Sequence, residues 1–231
     1  MLKRLASRLP FPVRQSLRAW KYRLQAAFGR FRSDEPEFQQ LADWVRAGDW
    51  VLDVGANVGQ YTLRLSEIVG EEGRVIAFEP IAETFEILAS MARRARYRNI
   101  TMFNSAVSER AGAVRFGVPV GAAGLPNYFQ ARVRSEGDRI VLGCALDELP
   151  LPERIALIKI DVEEHEVSVI RGMRKLMERD HPILIIEAHE GIYREFLAAH
   201  GYRMLPRAPG SSNLVFLPRA GREPAPLDGH S

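Results

Sequence analysis

The fold is decided by residues 51–61, VLDVGANVGQY. In this stretch an apolar run typical of a buried strand passes directly into a turn that contains Gly55 and Gly59. Glycine lets the backbone adopt angles, and approach a ligand at distances, that a Cβ would prevent. The N–H groups at the start of the helix that follows are donors for an anionic group. We therefore predict a ligand site where this strand ends.

Strand-like and helix-like segments alternate on both sides of this stretch. The predicted strands cover residues 50–54, 74–78, 100–107, 155–160, 182–187, 202–205 and 214–217, and the predicted helices cover residues 38–47, 61–69, 82–94, 164–178 and 193–200. Such alternation is typical of βαβ units, and the apolar run 183–186 indicates a sheet covered on both faces. The chain is therefore predicted to be an α/β, Rossmann-like three-layer sandwich with a mostly parallel sheet.

Residues 113–146 interrupt this alternation. Short β-like pieces at 114–118, 131–133 and 139–142 are separated by Gly and Pro, which predicts a β-rich insertion, antiparallel or looped over the sheet edge. The glycine turn at 121–124 is predicted to be mobile. The insertion also contains Asn127, Tyr128 and Phe129, and the two aromatic rings either stack on a sugar or pack against the sheet.

The first 35 residues form a basic arm. Apolar side chains recur at three- and four-residue spacing from Val13, at Val13, Leu17, Trp20, Leu24, Phe28 and Phe31. This spacing predicts an amphipathic helix, which Gly29 would end. Either the helix packs on the domain, over the active site, or it lies on an anionic membrane surface. We take packing as the prediction and peripheral membrane contact as the alternative.

Composition excludes several classes of protein. Nine of the 32 basic residues precede Asp34, and the other 23 face 29 acidic ones, so the rest of the chain carries about −6. A nucleic-acid-binding core would show the opposite distribution. We see neither a secretory signal nor a membrane-spanning stretch, and the single cysteine, Cys144, fits a reducing compartment. We expect a cytoplasmic protein with an arm (1–35), one domain (36–217) and a disordered Pro- and Gly-rich tail (218–231).

The second strand contributes to the ligand site. It ends at Glu79, about twenty residues beyond Gly55, the spacing of an acid that binds ribose hydroxyls. The triplet G-x-G-x-x-G of dinucleotide sites is absent. Asp53, just before the turn, suits a ligand with an ammonium group, such as the methionine part of S-adenosylmethionine.

Several segments together resemble the FkbM family of methyltransferases. They are VLDVGANVGQY (51–61), VIAFEP (75–80), NITMFNSAV (99–107), LD (146–147), IKIDVEEHE (158–166) and PILIIE (182–187). The resemblance implies a class I methyltransferase fold, S-adenosylmethionine as the cofactor, and a hydroxyl acceptor on a sugar or natural product. It also implies that Asp53, Gly55, Asn57 and Gly59 hold the methionine part, that Glu79 binds the ribose, and that Ser105 and Ala106 lie near the adenine.

Charged residues follow the strand at 155–160. Along a strand, Lys159, Asp161 and Glu163 share one face. A base assists methyl transfer to an alcohol, and the candidates are Asp161, His165, Glu187 and His189. We predict Asp161, His165 and Lys159 as the catalytic group. Two alternatives stay open: His165 starts a helix and faces solvent, or Lys159 only forms an ion pair with a neighbouring carboxylate.

Two further observations concern this acceptor site. Asp161, Glu163, His165, Glu187 and His189 offer ligands for Mg²⁺, but acid-rich strand ends are commoner than metal sites, so we predict no metal. Glu164 stands where the family usually has glycine, a residue that would permit an unusual backbone angle.

The predicted function is O-methylation of a hydroxyl on a sugar, glycolipid or secondary metabolite, with a small molecule or glycan as the acceptor. The alternatives are a pseudoenzyme that keeps the cofactor pocket, which Glu164 motivates, a nucleotide-sugar or nicotinamide enzyme, and an interaction module tethered by the arm. The sequence carries no signal for the oligomeric state.

Overall fold

The computed structural model describes residues 10–28, 30–120, 126–128, 131–187 and 192–219. In chain order the strands are β1 (Trp50–Val54), β2 (Arg74–Phe78), β3 (Ile100–Phe103), β4 (Ala106–Val107), β5 (Gly112–Gly117), β6 (Arg132–Val133), β7 (Arg139–Cys144), β8 (Ile155–Ile160), β9 (Ile183–Glu187), β10 (Tyr202–Met204) and β11 (Asn213–Pro218). The helices are α1 (Phe11–Ala27), α2 (Pro36–Trp44), α3 (Gln60–Val69), α4 (Ala82–Ala92), α5 (Glu166–Arg171), α6 (Arg174–Asp180) and α7 (Ile192–Ala199).

Seven of these strands form one sheet, in the order β10-β11-β9-β8-β1-β2-β3. The pairs from β3 to β9 are parallel, and β11 runs antiparallel to both of its neighbours. The predicted α/β architecture with a mostly parallel sheet is thus confirmed. Because β1 lies between β2 and β8, the segments that follow these three strands meet at one edge of the sheet.

Side chains of β1 are buried on both faces of the sheet. Leu52 and Val54 pack in one apolar cluster together with Ile158, whereas Val51 packs in a second cluster with Leu65 of α3. Each fully buried aliphatic side chain stabilises the fold by about 1.5–3 kcal/mol relative to its exposed state. The central strands are therefore a rigid base for the edge at which they end.

The segment 100–107 is not one strand, contrary to the prediction. It leaves the central sheet at Asn104, whose side-chain amide donates hydrogen bonds to the carbonyl oxygens of Glu79 and Pro80 at 2.9 and 3.1 Å. The chain then enters a second sheet with the order β4-β7-β5-β6. The predicted β-rich insertion is confirmed, with antiparallel pairing of β5 to β6 and β7 and a parallel pair between β4 and β7. The predicted glycine turn at 121–124 lies outside the described residues.

The helix predicted over 164–178 is also interrupted. Helix α5 ends at Arg171, and a Cβ at Gly172 would overlap the carbonyl oxygen of Ser108, so the chain needs glycine here. The carboxylate of Asp147 accepts hydrogen bonds from the backbone N–H groups of Lys175 and Leu176, at 3.0 and 2.9 Å, in the first turn of α6. This contact gives the LD segment a structural role that the sequence did not reveal.

Helix α1 packs on the domain, but not through the predicted apolar stripe. The Gln15 amide donates to the carbonyl oxygen of Glu83 (3.1 Å), and the Arg23 guanidinium donates to Ser90 Oγ (2.9 Å). Trp20, in the stripe, is 59% exposed. This part of the apolar stripe therefore lies on the protein surface. Gly29 and residues 220–231 of the predicted tail lie outside the described residues. No described helix has the length and apolar character needed to cross a bilayer.

Candidate active site

A pocket lies where β1, β2 and β8 end, and the second sheet forms its other wall. Six predicted site residues line it: Gly55, Asn57, Glu79, Ser105, Asp161 and His165. The second sheet and its connections add Phe116, Tyr128, Ala131 and Val133. Three predicted residues, Asp53, Gly59 and Lys159, are not part of the lining. The pocket therefore joins the predicted cofactor residues and the predicted acceptor residues in one space.

The glycine turn brings the end of β1 close to the segment after β8. Gly55 has φ +83°, and its backbone N–H and that of Ala56 both donate to the carbonyl oxygen of Phe78 at 2.9 Å. A Cβ at Gly55 would overlap the carbonyl oxygen of Asp161. Gly59 has φ +97°, and its Cβ would meet a methyl group of Leu88 at 2.6 Å. Gly55 is thus required by a backbone contact and Gly59 by its left-handed backbone angle, in addition to any ligand.

Asn57 presents an unused hydrogen-bond acceptor. Its backbone has φ +51°, which asparagine tolerates better than most residues. Its side-chain oxygen Oδ1 is buried, and no donor among the described residues reaches it. A buried polar atom without a partner is costly, so this atom in the pocket lining indicates a ligand that supplies the missing donor.

Glu79 lies at the centre of the turn network. Its Oε2 accepts the backbone N–H of Asn57 at 2.8 Å, and its Oε1 accepts the N–H of Ile81 at 2.9 Å and the hydroxyl of Thr84 at 2.7 Å. Burial raises the pKa of Glu79 to about 7, against the lowering effect of these hydrogen bonds. A carboxylate has about four acceptor positions, so one is left for a hydroxyl in the pocket.

Asp53 lies beneath the turn. Its side chain is 2% exposed and accepts a hydrogen bond from the Thr62 hydroxyl in the first turns of α3. Burial raises the pKa of Asp53 to about 6. The contact ties β1 to α3, so this residue supports the turn. The structure does not place its carboxylate in the pocket lining, where the predicted ammonium group would be met.

Lys159 is almost fully buried, at 1% exposure. Its Nζ lies 3.0 Å from Asn213 Oδ1, 3.6 Å from Asp161 Oδ2 and 5.2 Å from the centre of the Tyr61 ring. Lys159 is therefore enclosed by protein, and its ammonium group forms an ion pair with the Asp161 carboxylate. This geometry supports its predicted orienting role toward Asp161 and the ion-pair alternative, but not direct contact with an acceptor.

Glu187 forms a carboxyl pair with Asp161. The two side chains share a hydrogen bond, and the pKa of Glu187 is raised to about 7 by burial, by that bond and by the charge of Asp161. Below this pH the pair holds one proton more than two free carboxylates would. Glu187 was a candidate base in the sequence but not in the predicted catalytic group. The raised pKa arises from tertiary contacts that no local motif encodes.

His165 directly precedes α5, as the alternative predicted, but its half-buried side chain lines the pocket. Its Nε2 lies 3.0 Å from Ser108 Oγ, and burial lowers its pKa below the ordinary value. The ring is therefore neutral at neutral pH, and one of its nitrogens is held by Ser108. His165 and Asp161 remain the two base candidates that line the pocket.

Tyr128 lines the pocket, but two guanidinium groups lie close to its ring. The guanidinium of Arg18 lies 5.6 Å from the ring centre and that of Arg139 lies 5.3 Å from it. These contacts favour the packing alternative over stacking on a sugar. Phe129 lies outside the described residues.

Glu164 has the left-handed backbone angle expected for a glycine position, with φ +73°, and Glu163 precedes it with φ +51°. Both carboxylates face Arg132 of β6, which forms an ion pair with Glu164 and lies 3.6 Å from Glu163. The turn after β8 is thus connected to the second sheet. Glutamate is less favourable than glycine at this backbone angle, but in exchange it forms an ion pair that links the turn to the second sheet.

This exchange predicts the order of stability of two variants. Glu164→Gly is expected to be more stable than Glu164→Ala by about 1 kcal/mol, because only glycine relieves the left-handed angle while both variants lack the ion pair. Glu164→Ala should lose less than about 1 kcal/mol relative to the wild type, since the pair is exposed. Urea denaturation of the three proteins measures both differences. Equal stability of the two variants would contradict a strained backbone at this position.

Among the described residues no three His, Cys, Asp or Glu side chains are grouped to hold a metal ion. His189, one of the ligands considered from the sequence, lies outside those residues.

This chain is similar in sequence to known methyltransferases. The family model of the methyltransferase FkbM domain matches residues 53–204. The hexuronic acid methyltransferase AglP of Haloferax volcanii is 28% identical over 168 residues, which are 70% of this chain and 64% of that protein. The protein-L-isoaspartate O-methyltransferase of Methanothrix thermoacetophila is 28% identical over 133 residues, which are 56% of this chain and 60% of that protein.

Among solved structures, methyltransferase FkbM from Methylobacillus flagellatus matches with a TM-score of 0.54 and 18% identity, over 74% of this chain and 43% of that one. The chain spans about three fifths of the two related enzymes and less than half of the crystallised protein.

Proposed function

Because the chain belongs to the FkbM family of methyltransferases, we propose that it transfers a methyl group from S-adenosylmethionine to a hydroxyl of a sugar-containing acceptor. S-adenosylmethionine is the cofactor of this family, and the fold is the predicted class I methyltransferase fold. The observation that carries the proposal is that Asn57, Glu79 and Asp161 line the same pocket. It combines acceptors for the cofactor with a base for the acceptor hydroxyl.

The residues of the turn fit the cofactor. The free position on Glu79 and the unpartnered Oδ1 of Asn57 are acceptors for ribose hydroxyls or an ammonium group. Ser105 lines the same pocket, on the connection that Asn104 holds against β2. When bound, the cofactor supplies an electrophilic methyl group on a sulfonium.

Asp161 is the proposed base. Asp161 would take up the proton of the acceptor hydroxyl, while the bound cofactor would supply the methyl group and leave with its sulfur as a neutral thioether. Lys159 and Glu187 both interact with this carboxylate. His165, held at Nε2 by Ser108, forms the neighbouring wall. In-line positioning of the two substrates contributes to the rate in addition to the base.

An acidic sugar is the proposed acceptor class. The relative from Haloferax volcanii is a hexuronic acid methyltransferase. Beside the pocket, a groove is lined by Arg132, which already pairs with Glu163 and Glu164, and by the exposed Arg134. The guanidinium of Arg134 is the group that can meet a sugar carboxylate, and this pairing is bidentate. These two observations support uronic acids as the first acceptors to be tested.

Calorimetric titration tests the cofactor part of the proposal. We expect S-adenosylmethionine to bind with a Kd in the micromolar range, about 8 kcal/mol. Glu79→Ala should weaken binding by roughly 10- to 100-fold, because it removes a charged acceptor and releases the Asn57 backbone. The matched control is Glu67→Ala, since Glu67 is an exposed acid on α3 with only a surface ion pair. Equal affinities of both variants would contradict the assigned site.

Transfer of a labelled methyl group tests the reaction. Glycans with uronic acid residues are offered next to the same glycans with the carboxyl groups reduced, and the label should enter the acidic set. The linkage of the label shows whether oxygen is the methylated atom. Binding of the cofactor without transfer to either set would instead favour a pseudoenzyme.

A further inference from the structure

The outward face of α1 is unusually apolar for a surface helix. Val13, Leu17 and Trp20 are 43%, 48% and 59% exposed, and Phe28 just beyond the helix is 74% exposed. With Leu24 they follow each other at intervals of three and four residues, so they occupy one side of the helix. A continuous exposed apolar stripe of this kind marks an interaction surface.

The opposite side of α1 is attached to the domain. Gln15 and Arg23 form hydrogen bonds to α4, and Tyr22 packs edge-on against Phe31 at 5.8 Å between ring centres. Arg18 reaches the ring of Tyr128, which lines the active-site pocket. The helix is therefore held in an orientation that turns its apolar stripe away from the protein and keeps it near the pocket.

The charge beside the stripe has one sign. The segment from residue 11 to residue 33 contains six basic residues and no acidic one: Arg14, Arg18, Lys21, Arg23, Arg30 and Arg32. Lys21 lies beside the stripe, because it follows Leu17 by four residues and is therefore on the same side of the helix. Lys21 and Arg30 are exposed. A protein partner would have to combine an apolar groove with acidic edges, whereas an anionic lipid surface offers both features over any length of helix.

We propose that α1 docks this protein on an anionic membrane surface, with Leu17, Trp20 and Phe28 inserted among the lipid headgroups and the exposed Lys21 and Arg30 facing the lipid phosphates. The docking needs no conformational change, because the apolar stripe already faces outward while the other side of the helix is attached to the domain. It is independent of the methyl acceptor, so failure of the proposed function would leave it intact.

Vesicle sedimentation of the full chain tests the proposal. Vesicles of equal parts phosphatidylglycerol and phosphatidylcholine should bind the protein, and vesicles of phosphatidylcholine alone should bind it much less. The double variant Leu17→Ser, Trp20→Ser should lose about tenfold or more of the binding. The variant Lys21→Gln, Arg30→Gln should lose a similar part, and added salt should weaken the wild type. All four side chains are exposed or outward-facing, so the fold is preserved.

The matched control is Ile140→Ser, Leu142→Ser on β7. These two residues are 57% and 75% exposed, as apolar as the α1 stripe but on the second sheet, and their replacement should leave vesicle binding unchanged.

Tryptophan emission gives a second readout. It should shift to the blue with anionic vesicles, and Trp20→Phe should remove the shift without removing binding. Equal binding to both kinds of vesicle, equal losses in the β7 control, or a concentration-dependent dimer that the α1 variants abolish while no vesicle binds, would overturn the proposal.

Discussion

An Asp161→Asn variant is expected to lose roughly 100- to 10,000-fold in kcat, the usual contribution of a positioned base, while still binding S-adenosylmethionine. Asparagine keeps the shape of the side chain but cannot take up the proton of the acceptor hydroxyl. Initial rates of labelled methyl transfer, with the acceptor found in the uronic acid screen, measure the loss. Glu164→Gln is the matched control, because Glu164 lies on the same loop but pairs with Arg132 and is not part of the pocket lining.

The pH profile tests the same assignment. The pKa of Glu187 is raised to about 7 by burial and by Asp161, with Lys159 and Ser212 acting in the opposite direction. Below about pH 7 Glu187 therefore keeps a proton and donates a hydrogen bond to the Asp161 carboxylate, which occupies an acceptor position on Asp161. The wild-type rate should rise as the pH passes through about 7.

Glu187→Gln holds a donor toward Asp161 at every pH, so its rate should stay low and the rise near neutrality should disappear. A variant that keeps the rise would show that another group titrates. If His165→Gln is inactive and Asp161→Asn is not, the base is His165.

The fold could be predicted because its signals are local. The strands that end at Val54, Phe78 and Ile160 were predicted with their observed boundaries, since apolar runs between turn residues specify buried strands. The errors occur where a tertiary contact overrides the local pattern. Asn104 bonds to the end of β2 and splits the predicted third strand, and the close approach of Ser108 to Gly172 splits the predicted long helix.

The arm shows what a periodic pattern leaves open. Its period correctly indicated a helix, but a period identifies the apolar side of a helix without saying what that side faces. The polar side is held to α4 by hydrogen bonds from Gln15 and Arg23. A stripe that would normally be buried is therefore on the surface.

The site could be predicted in part. Six of the nine predicted residues line one pocket, because motifs at the ends of parallel strands are brought together by the topology alone. The sequence could not show that Lys159 is enclosed, or that Glu187 shares a hydrogen bond with Asp161. Both facts depend on the packing of β8 against β9 and on Asn213 of β11, far apart in the chain.

Replacement of Gly55 by alanine is expected to destabilise the protein by roughly 3–5 kcal/mol and to abolish binding of S-adenosylmethionine. Two costs add. The backbone angle of +83° disfavours any side chain, and the new Cβ would overlap the carbonyl oxygen of Asp161. The turn and the segment after β8 must then move apart, which displaces Asp161 from the cofactor residues. Chemical denaturation and calorimetric titration measure the two effects.

Gly48→Ala separates the two costs. Gly48 has nearly the same angle, +86°, but its Cβ would meet nothing within 4 Å, so this variant carries the backbone strain alone. It should lose about 1–2 kcal/mol and bind S-adenosylmethionine like the wild type. The excess loss in Gly55→Ala then measures the contact with Asp161. If both variants lose the same stability, the approach of the turn to Asp161 is not required, and the glycine in the turn serves backbone conformation only.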